Sequence, residues 1–399
     1  MVTAPAVIFG AGNVGRGFLG QLFSESGREV VFVEVDRTLV SALNTRRTYT
    51  IRLVDNERAD EVTISPVRAL HAQEVDAVAE TLSLADVGAT AVGVRALPRI
   101  APLVAAGIMR RNEIGAQSPL NIIICENLKN AAEAFRTMVG EHLSDEHQDY
   151  LRTHIGFVDT VIGRMIPPLS AHMRKRDPSL IAVEPYKELP VDRQGFVGTV
   201  PRIVGMEPYS PFAAYTARKL YIHNCGHALL GYLGRLRGHA LGYEALQDEA
   251  VRLLLERALA EARAGIVAEY GVTKEWLEDH IDDLLRRFGN RALADTTLRL
   301  GRDPMRKLGP EDRLVGAARL AEKARRAPEA LSWGIAAGYL FDDVDDPLAV
   351  ELQKRVGREG LGTVLADVSR IDSDEPLGVL VHQRYRALRE GTWSLPQCD

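Results

Sequence analysis

The chain has little cysteine. Only Cys125, Cys225 and Cys398 occur in 399 residues, and none forms a CxxC pair. That excludes a disulfide framework and a cysteine-based zinc site, and it fits a reducing compartment. Long apolar runs are also missing. The first one, "APAVIFGAG", is too short to cross a bilayer and has no basic stretch before it, so neither a signal peptide nor a membrane partner is expected. Positive charge is not in excess. The formal net charge is -5, which gives no support to a nucleic-acid partner. What remains is an ordinary globular composition, 46% hydrophobic and 26% charged. A cytoplasmic protein of two domains is expected.

The first 150 residues alternate strand and helix. "AVIF", "EVVFVEVD", "GATAVG" and "PLNIIICEN" read as strands, with helical stretches such as "TLVSALNTRR" and "LPRIAPLVAAGIMRRN" between them. This alternation predicts an α/β, Rossmann-type doubly wound sheet. "YTIRLVDNE" alternates polar and apolar residues and suggests an antiparallel excursion. From about Ile166 to Pro211 the chain is rich in Pro and Arg and reads as extended connections. After Pro211 the pattern is helical almost to the end. The expected division is 1–205, a dinucleotide-binding domain with extra connections, and 206–399, a mainly α-helical domain carrying the chemistry.

Gly10, Gly12 and Gly15 form G-x-G-x-x-G directly after a strand and at the start of a helix. The first glycine permits a tight turn, the second lets a pyrophosphate approach the backbone, and the third lets helix pack on strand. Asn13 and Val14 complete the loop. An acid, Glu34, ends the second strand nineteen residues after Gly15, as a ribose-binding residue should. Its charge would repel a 2′-phosphate, which favours NAD over NADP; Arg37 nearby works against this, and Asp36 is a second candidate acid. Val92 and Gly93 end a later strand, where they either touch the cofactor or form an ordinary turn.

The stretch "KLYIHNCGH" concentrates Lys219, His223, Asn224 and His227 among apolar residues. On an α-helical wheel with Lys219 at zero, His227 falls at about 80° and Asn224 at about 140°, over roughly 12 Å of axis. The three could face one pocket, or they could be the wet side of an amphipathic helix. Tyr215 and Lys219 also make Y-x-x-x-K, but the T-G-x-x-x-G-x-G loop and upstream serine that accompany that pair in short-chain dehydrogenases are absent. A zinc site through His223 and His227 would need a third ligand, and none is evident.

K-x-x-x-x-N-x-x-H after an N-terminal G-x-G-x-x-G resembles the signature of the polyol-specific long-chain dehydrogenases, the mannitol dehydrogenase family. "SPLNIIICENL", "GFVDT", "RMIPP", "RKLYIHNCGHALLGYLG", "RFGN" and "GRDPMRKLGPEDRL" extend the resemblance over most of the chain, and point to a branch that acts on sugar phosphates. The resemblance implies zinc-independent, NAD-dependent oxidation of a secondary alcohol. Lys219 would be the general base, Asn224 and Asn127 would hold the developing alkoxide, and His227 would orient the sugar. It also suggests a monomer whose partners are small polyol or sugar phosphates.

The chain departs from the family at "VIGRMIPP". Gly163 stands where the family carries aspartate, although Arg164, Pro167 and Pro168 remain. This puts the exact substrate in question and leaves open a homologue that binds nucleotide without turnover. Asp159 could compensate. Arg302, Arg306 and Lys307 form the best cationic cluster for a phosphate, with Arg164 a further substrate candidate. Glu184 and Lys187 either line a cleft or belong to a hinge.

Overall fold

The computed structural model describes residues 4–56, 59–167, 169 and 171–393. Pro168 and Cys398 lie outside them. The chain divides into two compact units, Met1–Phe212 and Ala213–Asp399.

In the N-terminal unit, β1 (Ala6–Phe9) and β2 (Val30–Glu34) are followed by a hairpin, β3 (Tyr49–Val54) and β4 (Ala59–Ile64). Then come β5 (Val67–His71), β6 (Val87–Thr90), β7 (Leu120–Ile124) and β8 (Ile155–Asp159). Among the described residues β5-β2-β1-β6-β7-β8 form one parallel sheet. This is the doubly wound order expected from the alternation of elements, with its switch point between β1 and β6. The strands read as continuous apolar runs because both faces are covered. Side chains alternate across the sheet: Ala6 and Ile8 join a core with Phe18, Leu22 and Phe32, whereas Val7 and Phe9 join a second core with Val104, Ile122 and Phe135.

The expected antiparallel excursion is β3 paired with β4. The Pro- and Arg-rich stretch supplies short strands. β9 (Ile181–Val183) adds to β3 in parallel, and β10 (Leu189–Asp192) pairs with β11 (Met206–Tyr209).

The C-terminal unit is helical. Its long central helix, Glu249–Tyr270, is capped by Asp248, whose carboxylate accepts the Ala250 and Val251 N–H groups. Leu254, Leu255, Ala258, Leu259 and Ile266 on this helix are buried, in a unit whose core also holds Leu229, Leu233, Trp333 and Ile335.

"FAAYTARKLYIHNCGHALLGYLGRL" is not one regular α-helix. Ala213–Ala217 is α-helical, Arg218–Asn224 is π-helical, and Cys225–Leu236 is α-helical again. The Cys225 N–H reaches back five residues to the Leu220 carbonyl. A π turn holds one residue more than an α turn, so a wheel drawn at 100° per residue misplaces Asn224 and His227 relative to Lys219.

Candidate functional site

The carboxyl ends of β1 and β6 flank the switch point, and the glycine loop leaves β1 there. Gly10 has φ +94, and a Cβ on it would lie 2.5 Å from the Ala91 carbonyl oxygen. Only glycine fits both the backbone angle and the neighbour. Gly15 is equally constrained, since a Cβ there would meet the Gly10 carbonyl at 2.0 Å. Gly12 is different. It is exposed, and a Cβ there would find no atom within 4 Å. That open space beside the backbone at the start of a helix running through Asn13 and Val14 suits a phosphate group.

Glu34 turns its carboxylate back onto this loop. Oε2 accepts the Ala11 N–H at 2.8 Å, and Oε1 accepts Val35 N–H at 2.7 Å and Asp36 N–H at 3.1 Å. Asp36 is committed elsewhere: it caps the Arg37–Arg46 helix by accepting from Thr38 and Leu39. Arg37 donates to Gln73 Oε1 at 2.7 Å.

On the other side of the switch point, Val92 is half-buried, while Gly93 is exposed with φ +83. Sequence reasoning missed the residue that holds them. Glu126 is buried at the end of β7 and accepts the Thr90 hydroxyl and the Val92 N–H, the latter at 2.9 Å. Burial raises its carboxyl above the ordinary range, partly offset by these bonds and by the Gly93 N–H. The available signal was an acid directly after the apolar run of β7. Asn127, the next residue, is exposed.

Arg164 is buried within the N-terminal unit. Its Nε donates to the Glu184 carbonyl at 2.8 Å, and Nη1 to the Gly17 carbonyl at 3.0 Å and Gln21 Oε1 at 2.7 Å. Glu184 is buried too and accepts Met165 N–H at 2.5 Å, while Lys187 pairs with Glu25 at 2.7 Å. Asp159 accepts Ala132 N–H at 2.9 Å. A Cβ on Gly163 would lie 2.9 Å from Cε1 of Tyr186, so the tyrosine ring fills the space next to that position.

In the C-terminal unit, Lys219 and Asn224 are five residues apart within the π-helical segment. A π turn needs more residues per turn than an α turn, so residues at that spacing lie nearer one side of the helix than an α-helical wheel would place them. His227 follows at three residues, about one α turn on. Its ring lies 4.8 Å from that of His223 and 4.5 Å from Phe288. Burial pushes both imidazoles well below their usual range, and the Lys219 ammonium adds to it, so both rings are neutral near pH 7. Lys219 and His227 are half-buried and His223 is buried. Arg287 acts on both histidines, and His280 on His223. The sequence signal for these two partners was only their place in and near "RFGN". Tyr215 packs edge-on against Trp276 with the Arg218 guanidinium over both rings.

The cationic cluster does not present three equivalent charges. Arg302 is exposed. Arg306 is exposed and paired with Asp303 at 2.7 Å and Asp312 at 3.4 Å. Lys307 is buried, with Nζ donating to the Leu300 carbonyl at 2.5 Å, and burial lowers its pKa to about 7. Its charge, with that of buried Arg313, still reaches His227. Among the described residues no group of three or more His, Cys, Asp or Glu side chains is placed to hold a metal ion. Among them, too, no helix is long and apolar enough to cross a membrane.

Residues 4–205 match the mannitol dehydrogenase Rossmann domain, and residues 212–389 match the mannitol dehydrogenase C-terminal domain. The chain belongs to the mannitol dehydrogenase family. It is 37% identical over 387 residues to the mannitol-1-phosphate 5-dehydrogenase of Geobacillus thermodenitrificans, spanning 96% of this chain and 99% of that one. It is 38% identical over 390 residues to the enzyme of the same name from Brevibacillus brevis, spanning 98% and 99%. Its fold is also that of Pseudomonas fluorescens mannitol 2-dehydrogenase, solved with NAD and D-mannitol, at a TM-score of 0.72 and 16% identity, covering 98% of this chain and 93% of that one. Mannitol dehydrogenase family membership thus extends over both units, and the glycine loop and the K-x-x-x-x-N-x-x-H helix fall in one family domain each.

Proposed function

We propose that this chain interconverts mannitol 1-phosphate and fructose 6-phosphate with NAD, using Lys219 as the general base and no zinc. The names of its relatives at 37% and 38% identity support the substrate. The observation that supports the mechanism is the π turn that carries Lys219 and Asn224, with the neutral His227 ring following it.

Gly12, Asn13, Val14 and Gly15 would hold the pyrophosphate, and Glu34 the adenosine ribose. The glycine loop fits the group, since open space meets the Gly12 backbone where a phosphate would arrive. When bound, the dinucleotide supplies the hydride acceptor. Lys219 takes the proton of the substrate hydroxyl as the carbon–hydrogen bond breaks, and returns it in the reverse direction. An ordinary lysine titrates at about 10.4, so the role requires a lowered value, which burial or nearby positive charge would supply. The Asn224 and Asn127 carboxamides donate to the developing alkoxide. The neutral His227 ring hydrogen-bonds a neighbouring hydroxyl. Lys307, Arg306 and Arg302 are the proposed phosphate contacts, with Arg164 acting by bracing the N-terminal unit. The protein is taken to work as a cytoplasmic monomer.

Following NADH absorbance with fructose 6-phosphate, fructose and fructuronate tests the reading. Turnover of the phosphate ester is expected. Activity on the free sugars alone would reject the substrate and keep the dehydrogenase chemistry.

A further inference from the structure

Glu126 has no part in the proposed chemistry, yet it ties the turn after β6 to the end of β7. Its carboxylate sits at the carboxyl end of β7 and accepts the Thr90 hydroxyl from the end of β6. It also accepts the Val92 and Gly93 N–H groups from the turn after β6, and its own N–H. The same turn is pinned from the other side by the glycine loop. A Cβ on Gly10 would lie 2.5 Å from the Ala91 carbonyl oxygen and 3.1 Å from Val92 Cγ1. The turn therefore lies between Gly10 and the Glu126 carboxylate. The backbone of Glu126 continues directly into Asn127, and the Leu128 N–H returns to the Glu126 carbonyl at 2.9 Å.

A buried carboxylate that left this arrangement would strand several donors at once, so it is held firmly. We infer that Glu126 is a positioning residue that locks the Val92–Gly93 turn and the Asn127 loop into one rigid piece. It thereby couples the shape of the dinucleotide crevice to the aim of the Asn127 carboxamide. This rests on the proposed function, in which the crevice holds the dinucleotide and Asn127 meets the alkoxide.

The test uses the full chain and its Glu126→Ala, Glu126→Gln, Thr90→Val and Asn127→Ala variants. NADH affinity is read by calorimetry without substrate, and kcat and KM are read with fructose 6-phosphate. Losing several hydrogen bonds to a charged acceptor, Glu126→Ala should weaken NADH at least about tenfold and lower kcat at least about tenfold. Asn127→Ala should lower kcat alone. Glu126→Gln should restore both quantities to within about threefold, because its amide can accept the turn N–H groups and donate to the Thr90 hydroxyl. Thr90→Val, which removes one donor, should shift both in the same direction by a smaller factor, and it decides the matter if Glu126→Ala does not fold. The inference is overturned if Glu126→Ala, or Thr90→Val in its place, leaves NADH affinity and kcat at the wild-type level. It is also overturned if Glu126→Gln is as damaged as Glu126→Ala. Wild-type protein that binds NADH but does not turn over the sugar phosphate would instead defeat the substrate assignment, and NADH affinity alone would then judge Glu126.

Discussion

The Glu34 carboxylate accepts the Ala11 N–H of the glycine loop at 2.8 Å, across twenty-three residues of sequence. One acid thus closes the loop and marks the ribose end of the proposed cofactor site. Glu34→Ala should weaken NADH by about tenfold, through one lost charge-assisted hydrogen bond. It should also move the ratio of kcat/KM for NADPH over NADH upward, because the carboxylate no longer repels a 2′-phosphate. Steady-state rates with both cofactors check this. A wild-type protein that already prefers NADPH contradicts the role given to Glu34.

Lys219→Ala should reduce kcat by about three orders of magnitude or more, the contribution expected of a positioned base. NADH affinity should stay within about threefold, since the glycine loop belongs to the other unit. Stopped-flow turnover and calorimetry separate the two effects. Near-normal turnover removes lysine as the base.

The π turn itself is testable. Inserting one alanine after Leu220 should rotate Asn224 and His227 by up to about 100° relative to Lys219. Helix content by circular dichroism should persist. Turnover should fall by about a hundredfold or more, the penalty for misplaced catalytic groups. Retained turnover would show that the relative placement of these residues does not matter.

Gly163→Asp would restore the family carboxylate, but its Cβ would come within 2.9 Å of the Tyr186 ring. Overpacking should destabilise the protein by about 1–3 kcal/mol in denaturant titrations. Adding Tyr186→Ala should recover most of that loss. If Gly163→Asp alone is as stable as wild type, the ring moves aside freely.

Burial lowers Lys307 from its ordinary value to about 7. The folded state therefore binds fewer protons than the unfolded state between pH 7 and about 10.4. Its cost is complete below pH 7 and fades as pH rises through that window, so stability should rise with pH by at most about 1.4 kcal/mol per unit. Lys307→Met should flatten this slope in urea unfolding measured at several pH values. A KM for fructose 6-phosphate unaltered in this variant would remove Lys307 from the phosphate site.

The parallel sheet was legible because apolar runs, a glycine loop and an acid at the end of β2 are local signals. Glu34 was preferred to Asp36 on the same local ground, its place at the end of the apolar run; that Asp36 caps the next helix appears only in the fold, since either acid could have offered that hydrogen bond. Arg164 and Arg306 look alike in sequence as phosphate-binding cations. In the fold one is buried on backbone carbonyls and the other paired with aspartates, because neighbours distant in sequence arrive to take their donors.

By itself the sequence determined the doubly wound first half, the helical second half and the residues of the K-x-x-x-x-N-x-x-H motif, since periodicity and turn chemistry act over a few residues. The tertiary structure decided the π turn that carries Lys219 and Asn224, the convergence of Thr90, Val92 and Gly93 on Glu126, and the ring of Tyr186 beside Gly163. Each of these depends on packing and hydrogen bonds between segments that approach one another only when the chain is folded, and no local pattern encodes which partner will come.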